Sequence, residues 1–97
     1  MDPFEETLHR KAELQQGRLH LVQNELALAC IFLDVAEVAQ QPETRKRNIE
    51  NARNACQVVI HLLAGRFECT GKQRADFEDE LAKLIARLKA RSSGGRS

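Results

Sequence analysis

The chain has 97 residues, 42% of them hydrophobic and 30% charged, with 15 Lys and Arg against 14 Asp and Glu. This length predicts one compact domain, and a content of only five Gly and two Pro excludes a collagenous or wholly disordered chain. A formal charge of +1, four Phe and neither Tyr nor Trp argue against a general nucleic-acid binder, which carries a basic excess and rings for base stacking.

The first helix is predicted around an apolar face whose residues recur every three or four positions. That face comprises Leu19, Val22, Leu26, Ala29, Leu33 and Ala36. A second stripe runs beside it, so we expect this helix to contact two partner helices at once. The second stripe comprises Leu21, Leu28, Phe32, Val35 and Ala39. Pro42 predicts that the first helix ends near Gln40 and that a second helix begins.

A narrow polar strip completes the first helix and consists of Gln23, Cys30, Asp34 and Glu37. We expect its two carboxylates, three residues apart, to mark the solvent edge of the helix. Two such carboxylates could instead bind a cation or pair with a basic residue of a partner. The apolar run around this strip is too short to span a bilayer, so no membrane span is expected.

The N-terminal segment either extends the first helix or folds back. A helix over residues 4–40 would be about 55 Å long, against about 30–35 Å for the other helices. A turn at Gly17 would instead create a fourth helix, Pro3 to Gln16. The continuous or kinked helix is favoured because Leu8 and Ala12 stay in phase with Leu19. It would leave an apolar stripe uncovered, which predicts a two-fold homodimer. That stripe comprises Phe4, Leu8, Ala12, Leu14 and Leu19.

The second helix is predicted at about residues 42–64, ending before Gly65. Its inward residues are Ile49, Ala52, Cys56, Val59 and Leu63, and its outward residues are Arg47, Glu50, Asn54, Gln57 and His61. A capping box at Thr70 and Gln73 begins a third helix, at about residues 70–91, which buries Phe77, Leu81, Leu84 and Leu88. The predicted fold is an all-α, antiparallel three-helix bundle in one domain over residues 1–91, followed by a flexible tail over residues 92–97.

The run from Asn51 to Ala55, the apolar run from Val58 to Leu63 and the capped third helix resemble a group of small, uncharacterised bacterial helical proteins. The resemblance covers roughly Glu43 to Leu88. No activity is attached to that group, so the resemblance implies a helical fold and no function. The spacing of Ala52, Cys56 and Val59 is also similar to the second helix of a tetratricopeptide repeat, which implies helix packing of that kind.

The cysteines and the N-terminal residues indicate the cellular compartment of the protein. Three cysteines without a CxxC pair suit a reducing compartment. We expect Cys30 and Cys56 to be small core residues and Cys69 to be an exposed thiol in a turn. Acidic residues at the N-terminus, where a signal peptide carries basic ones, predict a cytoplasmic protein.

Residues for catalysis are sparse. The only serines are Ser92, Ser93 and Ser97, and no nucleophile is predicted beside a histidine. Phosphate-binding glycine loops are absent from the sequence, so we expect neither an enzyme nor a nucleotide. Glu5 and His9 are spaced as metal ligands on a helix, but neither of the other two histidines has a Glu, Asp or Cys at that spacing, so no metal or other cofactor is expected.

Basic residues should collect where the first helix ends, the second begins and the third ends. This basic pole comprises Arg45, Lys46, Arg47, Arg87, Lys89 and Arg91, with Arg96 of the tail, against Glu37 and Glu43. The sequence therefore predicts a non-enzymatic protein–protein interaction or self-association module. One alternative is a nucleic-acid-associated accessory protein that binds an anionic partner through the basic pole, and another is a small ligand- or metal-binding bundle.

Overall fold

The computed structural model describes the backbone of residues 3–65 and 69–94, and the side chains of these residues except 4, 6–15 and 92–94. Within these ranges the chain forms three helices and no strand: α1 (Pro3–Val38), α2 (Pro42–Ala64) and α3 (Gly71–Gly94). The predicted all-α three-helix bundle is confirmed.

Helix α1 is continuous through Gly17, so the alternative with a fourth helix folding back at that residue is wrong. Its 36 residues measure about 54 Å, whereas the 23 residues of α2 measure about 35 Å. The buried residues of α1 among the described side chains lie only between Val22 and Ala36. The core therefore occupies the C-terminal half of α1, and the helix ends at Val38, two residues before the predicted end.

Helix α2 presents the predicted faces. Ala52, Cys56 and Val59 are buried, and all five residues predicted to face outward are exposed. The helix ends at Ala64, as expected, and the N–H of Gly65 donates to the carbonyl of His61 at 3.2 Å. Gly65 has φ near −80°, so the helix ends without the left-handed conformation for which glycine is favoured.

The start of α3 is fixed by the capping box. The Gln73 N–H donates to Thr70 Oγ1 at 3.0 Å, and the Thr70 N–H donates to Gln73 Oε1 at 2.9 Å. Arg74 then donates to the carbonyl of Leu63 at 3.0 Å, which ties the start of α3 to the end of α2. The helix continues to Gly94, so the tail predicted to start at Ser92 is helical for its first three residues.

The core is one cluster to which all three helices contribute. Its members are Val22, Leu26, Ala29, Leu33, Ala52, Ala55, Cys56, Val59, Phe77, Leu81, Leu84 and Leu88. The backbones of α1 and α2 approach each other over more of their length than the backbone of α3 approaches either. Ala29, Ala52 and Ala55 supply small side chains at this contact, which permits close approach of the two backbones.

Three predictions about individual side chains were wrong. The second stripe of α1 does not contact a partner helix along its length, because Leu21, Leu28 and Val35 are exposed. Helix α3 lies instead along the polar strip, where Arg87 reaches across from α3. Cys30 is exposed beside that arginine, and Cys69 is half-buried against the core.

Candidate interaction surfaces

An ion-pair cluster joins α3 to the polar strip of α1. Arg87 Nη2 lies 3.0 Å from Asp34 Oδ1 and 2.9 Å from Glu37 Oε1, and Arg91 Nη2 lies 3.0 Å from the same Glu37 oxygen. The other Arg87 nitrogen, Nη1, lies 3.8 Å from Cys30 Sγ. The two carboxylates are therefore engaged within the chain, and they neutralise two cations of the predicted basic pole.

Arg45 has a structural role at the same end of the bundle. Its Nη2 donates to the carbonyl of Ala39 at 3.0 Å, just beyond the C-terminus of α1. A cation at a helix C-terminus is stabilising, so this contact offsets the unfavourable position of Arg45 at the start of α2.

Three cations of the basic pole have neither an ion pair nor a side-chain hydrogen bond within the described part of the chain: Lys46, Arg47 and Lys89, all of them exposed. Arg96 lies outside the described residues. The basic pole is therefore less positive than its composition suggests, because Arg87 and Arg91 are paired with carboxylates, whereas Arg45 keeps its charge beside a carbonyl.

A groove runs between α2 and α3, which we call the α2–α3 groove. It consists of two cavities, of about 650 and 530 Å³, both lined by Arg53. Apolar lining comes from Pro42, Ile49, Cys56, Ile60, Ile85, Leu88 and Ala90. Five cations line it as well, namely Arg45, Lys46, Arg53, Lys89 and Arg91, together with Glu50 and Gln57. The groove thus combines an apolar floor with a basic rim.

A second surface lies on α1, away from its buried face, and we call it the α1 outer stripe. Its members and exposed fractions are Leu21 (41%), Leu28 (41%), Ile31 (54%), Val35 (39%) and Val38 (79%). These residues follow one another at intervals of seven, three, four and three, the spacing of the a and d positions of a heptad. Asn24, also exposed, fills the remaining position of the pattern.

The extended half of α1 was predicted as the self-association surface. The side chains of Phe4, Leu8, Ala12 and Leu14 lie outside the described residues, so that part stays a prediction. Leu19 differs from the prediction, because it is half-buried and packs against the core instead of being uncovered.

The sequence contains signals for both surfaces that the periodicity alone did not assign. The heptad spacing of the α1 outer stripe is visible in the sequence, but only Leu21, Leu28 and Val35 belong to the second stripe predicted above, which was expected to contact a partner helix. The floor of the groove combines flanks of two helices: Ile60 of α2 and Ile85 of α3 line the same cavity only in the folded chain. No pattern within one helix identifies such a site.

The described residues offer little for metal chemistry. No group of three or more His, Cys, Asp or Glu side chains among them is arranged to hold a metal ion. His9, which stands at metal-ligand spacing from Glu5, has its side chain outside the described residues. Burial raises the pKa of the Cys56 thiol above its ordinary value of 9.0.

None of the helices, over the residues described, combines the length and apolarity needed to cross a membrane. No protein-family model, curated protein or solved structure matches the chain. Its function is therefore inferred from the surfaces of the folded chain.

Proposed function

We propose that this protein is a non-enzymatic interaction module that self-associates through the α1 outer stripe. The observation that carries the proposal is the row of five aliphatic side chains, 39–79% exposed, at heptad spacing on one face of α1. Apolar residues at a and d positions are the contacts through which two helices pair in a coiled coil. A second copy of the chain presents the same row and can cover it.

The charges around the stripe favour a second copy as the occupant. Between residues 19 and 38 the only charged side chains are Glu25, Asp34 and Glu37. Asp34 and Glu37 face α3, where they pair with arginines. A two-fold contact places the same patch on both partners, so a patch without charge avoids repulsion with itself.

Asn24 supports the same occupant. With Leu21 at an a position, Asn24 lies at a d position, where a polar side chain in an otherwise apolar seam must find a polar partner because burial without a hydrogen bond is costly. In a parallel two-fold pairing, Asn24 of one protomer would lie opposite Asn24 of its partner. The amide group can both donate and accept a hydrogen bond, so the two side chains satisfy each other.

The apolar area of the α1 outer stripe determines how strongly two chains should associate. Full burial of one aliphatic side chain contributes about 1.5–3 kcal/mol, so completing the burial of these five contributes roughly 4–8 kcal/mol per protomer. Two protomers contribute about 8–16 kcal/mol, against a cost of roughly 4–15 kcal/mol for immobilising two molecules. A micromolar Kd requires a surplus of about 8 kcal/mol, which the upper part of this range supplies, so the test is made at micromolar concentrations.

Sedimentation equilibrium at micromolar concentrations tests the proposal. The wild type is expected to approach twice the protomer mass of 11.0 kDa, and the double variant Leu28→Glu, Ile31→Glu is expected to sediment as a monomer. The matched control is Ala82→Glu, Ala86→Glu, which adds the same charges at exposed positions of α3 and should remain dimeric. Circular dichroism establishes that all three proteins are equally helical.

Two outcomes would overturn the assignment. A wild type that sediments at 11.0 kDa at every accessible concentration has no self-association to explain. A dimer that survives Leu28→Glu, Ile31→Glu but is lost in Leu8→Glu, Leu14→Glu would transfer the interface to the extended half of α1.

A further inference from the structure

We propose that the α2–α3 groove binds an acidic amphipathic helix of another protein, with aliphatic side chains of that helix on the floor and its carboxylates along the rim. This surface is separate from the α1 outer stripe. The inference therefore goes beyond self-association, and each proposal can fail without the other.

The floor sets the spacing of the aliphatic residues that a partner must present. Ile49 lines one cavity and Cys56 the other, and seven residues of helix separate them by about 10.5 Å. A partner helix lying along α2 spans the same distance between its own residues i and i+7. The groove extends along α2 from Pro42 to Ile60, which corresponds to about 27 Å or some 18 residues of a bound helix.

The rim sets the charge of the partner. Five cations line the groove; Arg53 forms an exposed pair with Glu50 of the same lining at 2.9 Å, and Arg91 pairs with Glu37 outside the lining at 3.0 Å. Lys46 on α2 and Lys89 on α3 have no ion pair within the described residues. These two ammonium groups belong to different helices, so a helix lying between α2 and α3 can meet a cation on each side. Carboxylates flanking its aliphatic face complement both.

Other occupants fit this groove less well. A second copy presenting the same groove would bring Arg45, Lys46 and Lys89, which have no ion pair within the described residues, against the same three cations, and this disfavours a two-fold contact here. Single-stranded nucleic acid binds through phosphates and through stacking on aromatic rings. No aromatic residue lines either cavity, and the apolar floor would remain unused. Helix-in-groove recognition uses both features of the site.

The probe is a fluorescein-labelled 18-residue helical peptide with leucines at i, i+4, i+7 and i+11 and glutamates beside them, titrated with the full chain in fluorescence anisotropy. Two matched peptides replace every glutamate by glutamine or by lysine. We expect binding of the glutamate peptide, about tenfold weaker binding of the glutamine peptide and no binding of the lysine peptide. Raising the salt concentration should reduce this difference between the first two peptides.

Two pairs of variants locate the site. Lys46→Glu should weaken binding of the glutamate peptide about tenfold, whereas Arg47→Glu, the neighbouring cation outside the groove, should change it less than twofold. Ile60→Asn removes an aliphatic side chain from the floor, and Val58→Asn is its control, because the two residues lie on the same helix with similar exposure, 40% and 38%. Only the first of these two should weaken binding, by at least fivefold.

The proposal is overturned if the wild type does not bind the glutamate peptide at millimolar concentration, or if the three peptides bind equally. If Lys46→Glu and Arg47→Glu lower the affinity for the glutamate peptide equally, the overall positive charge of the protein attracts the peptide and the groove is not its site. An RNA oligonucleotide that binds more tightly than the peptide, and is insensitive to Ile60→Asn, would reassign the groove to polyanions. The Leu28→Glu, Ile31→Glu variant should bind the peptide as the wild type does, which separates this result from the test of self-association.

Discussion

The close contact between α1 and α2 makes Ala52 the position at which the fold can be tested most directly. Ala52 is fully buried and belongs to the same cluster as Ala29 on α1. Replacing it by leucine adds three carbon atoms to a contact built from small side chains. Leucine and alanine have nearly equal helix propensities, so the effect of Ala52→Leu on stability comes from packing and not from the helix itself.

Overpacking of a well-filled core costs about 1–3 kcal/mol. For a domain of this size, 1 kcal/mol corresponds to a shift in Tm of about 4–8 °C. We therefore expect Ala52→Leu to melt at least about 4 °C below the wild type. Thermal unfolding is followed by circular dichroism at 222 nm, with both proteins at one concentration because dimerisation would otherwise shift the Tm.

Ala82→Leu is the matched control for this measurement. Ala82 lies on α3 and is exposed, and surface substitutions usually change stability by less than about 0.5 kcal/mol. The control should therefore melt within about 4 °C of the wild type. If Ala52→Leu also melts within that range, the packing of α1 against α2 described above is incorrect.

Two further predictions concern polar groups. Replacing Arg87 by methionine should lower the free energy of unfolding by about 1 kcal/mol in low salt, because it removes the ion pairs to two half-exposed carboxylates. Urea unfolding in 1 M NaCl should show a smaller difference between the two proteins. A difference as large in 1 M NaCl as in low salt would mean that the packing of Arg87 dominates. Since burial raises the pKa of Cys56 in the folded state, the stability that depends on its neutral thiol is complete below pH 9.0 and is lost as the pH rises through the folded-state value. Urea midpoints between pH 7 and pH 10.5 should therefore fall more steeply for the wild type than for Cys56→Ala, and parallel curves would contradict this.

The elements that sequence predicted well are those governed by local interactions. Pro42 fixes the start of α2, and the pairing of Thr70 with Gln73 fixes the start of α3, because each acts within one turn of helix. The buried faces of α2 and α3 were predicted correctly because each helix has one apolar stripe and a clearly polar opposite side.

The packing of helix α1 is not determined by its sequence pattern alone. Its apolar residues surround most of the helix, so their spacing cannot decide which side α3 occupies. The contact between Arg87 and Asp34 is not visible in the sequence, because the two residues lie 53 positions apart and meet only after folding. Cys30 is exposed because it lies on the polar strip beside Arg87 and outside the buried face of α1. Both candidate surfaces likewise depend on where α3 packs.

The unequal packing of the three helices has a consequence for motion. The backbones of α1 and α2 approach each other more closely than either approaches α3, which meets both through the larger side chains of Phe77, Leu81, Leu84 and Leu88. Local opening requires breaking buried contacts, so detachment of α3 would expose these four side chains. A helix held between α2 and α3 would contact both helices, so binding and the docking of α3 are thermodynamically linked. Occupancy of the groove would lower the population of chains in which α3 is detached.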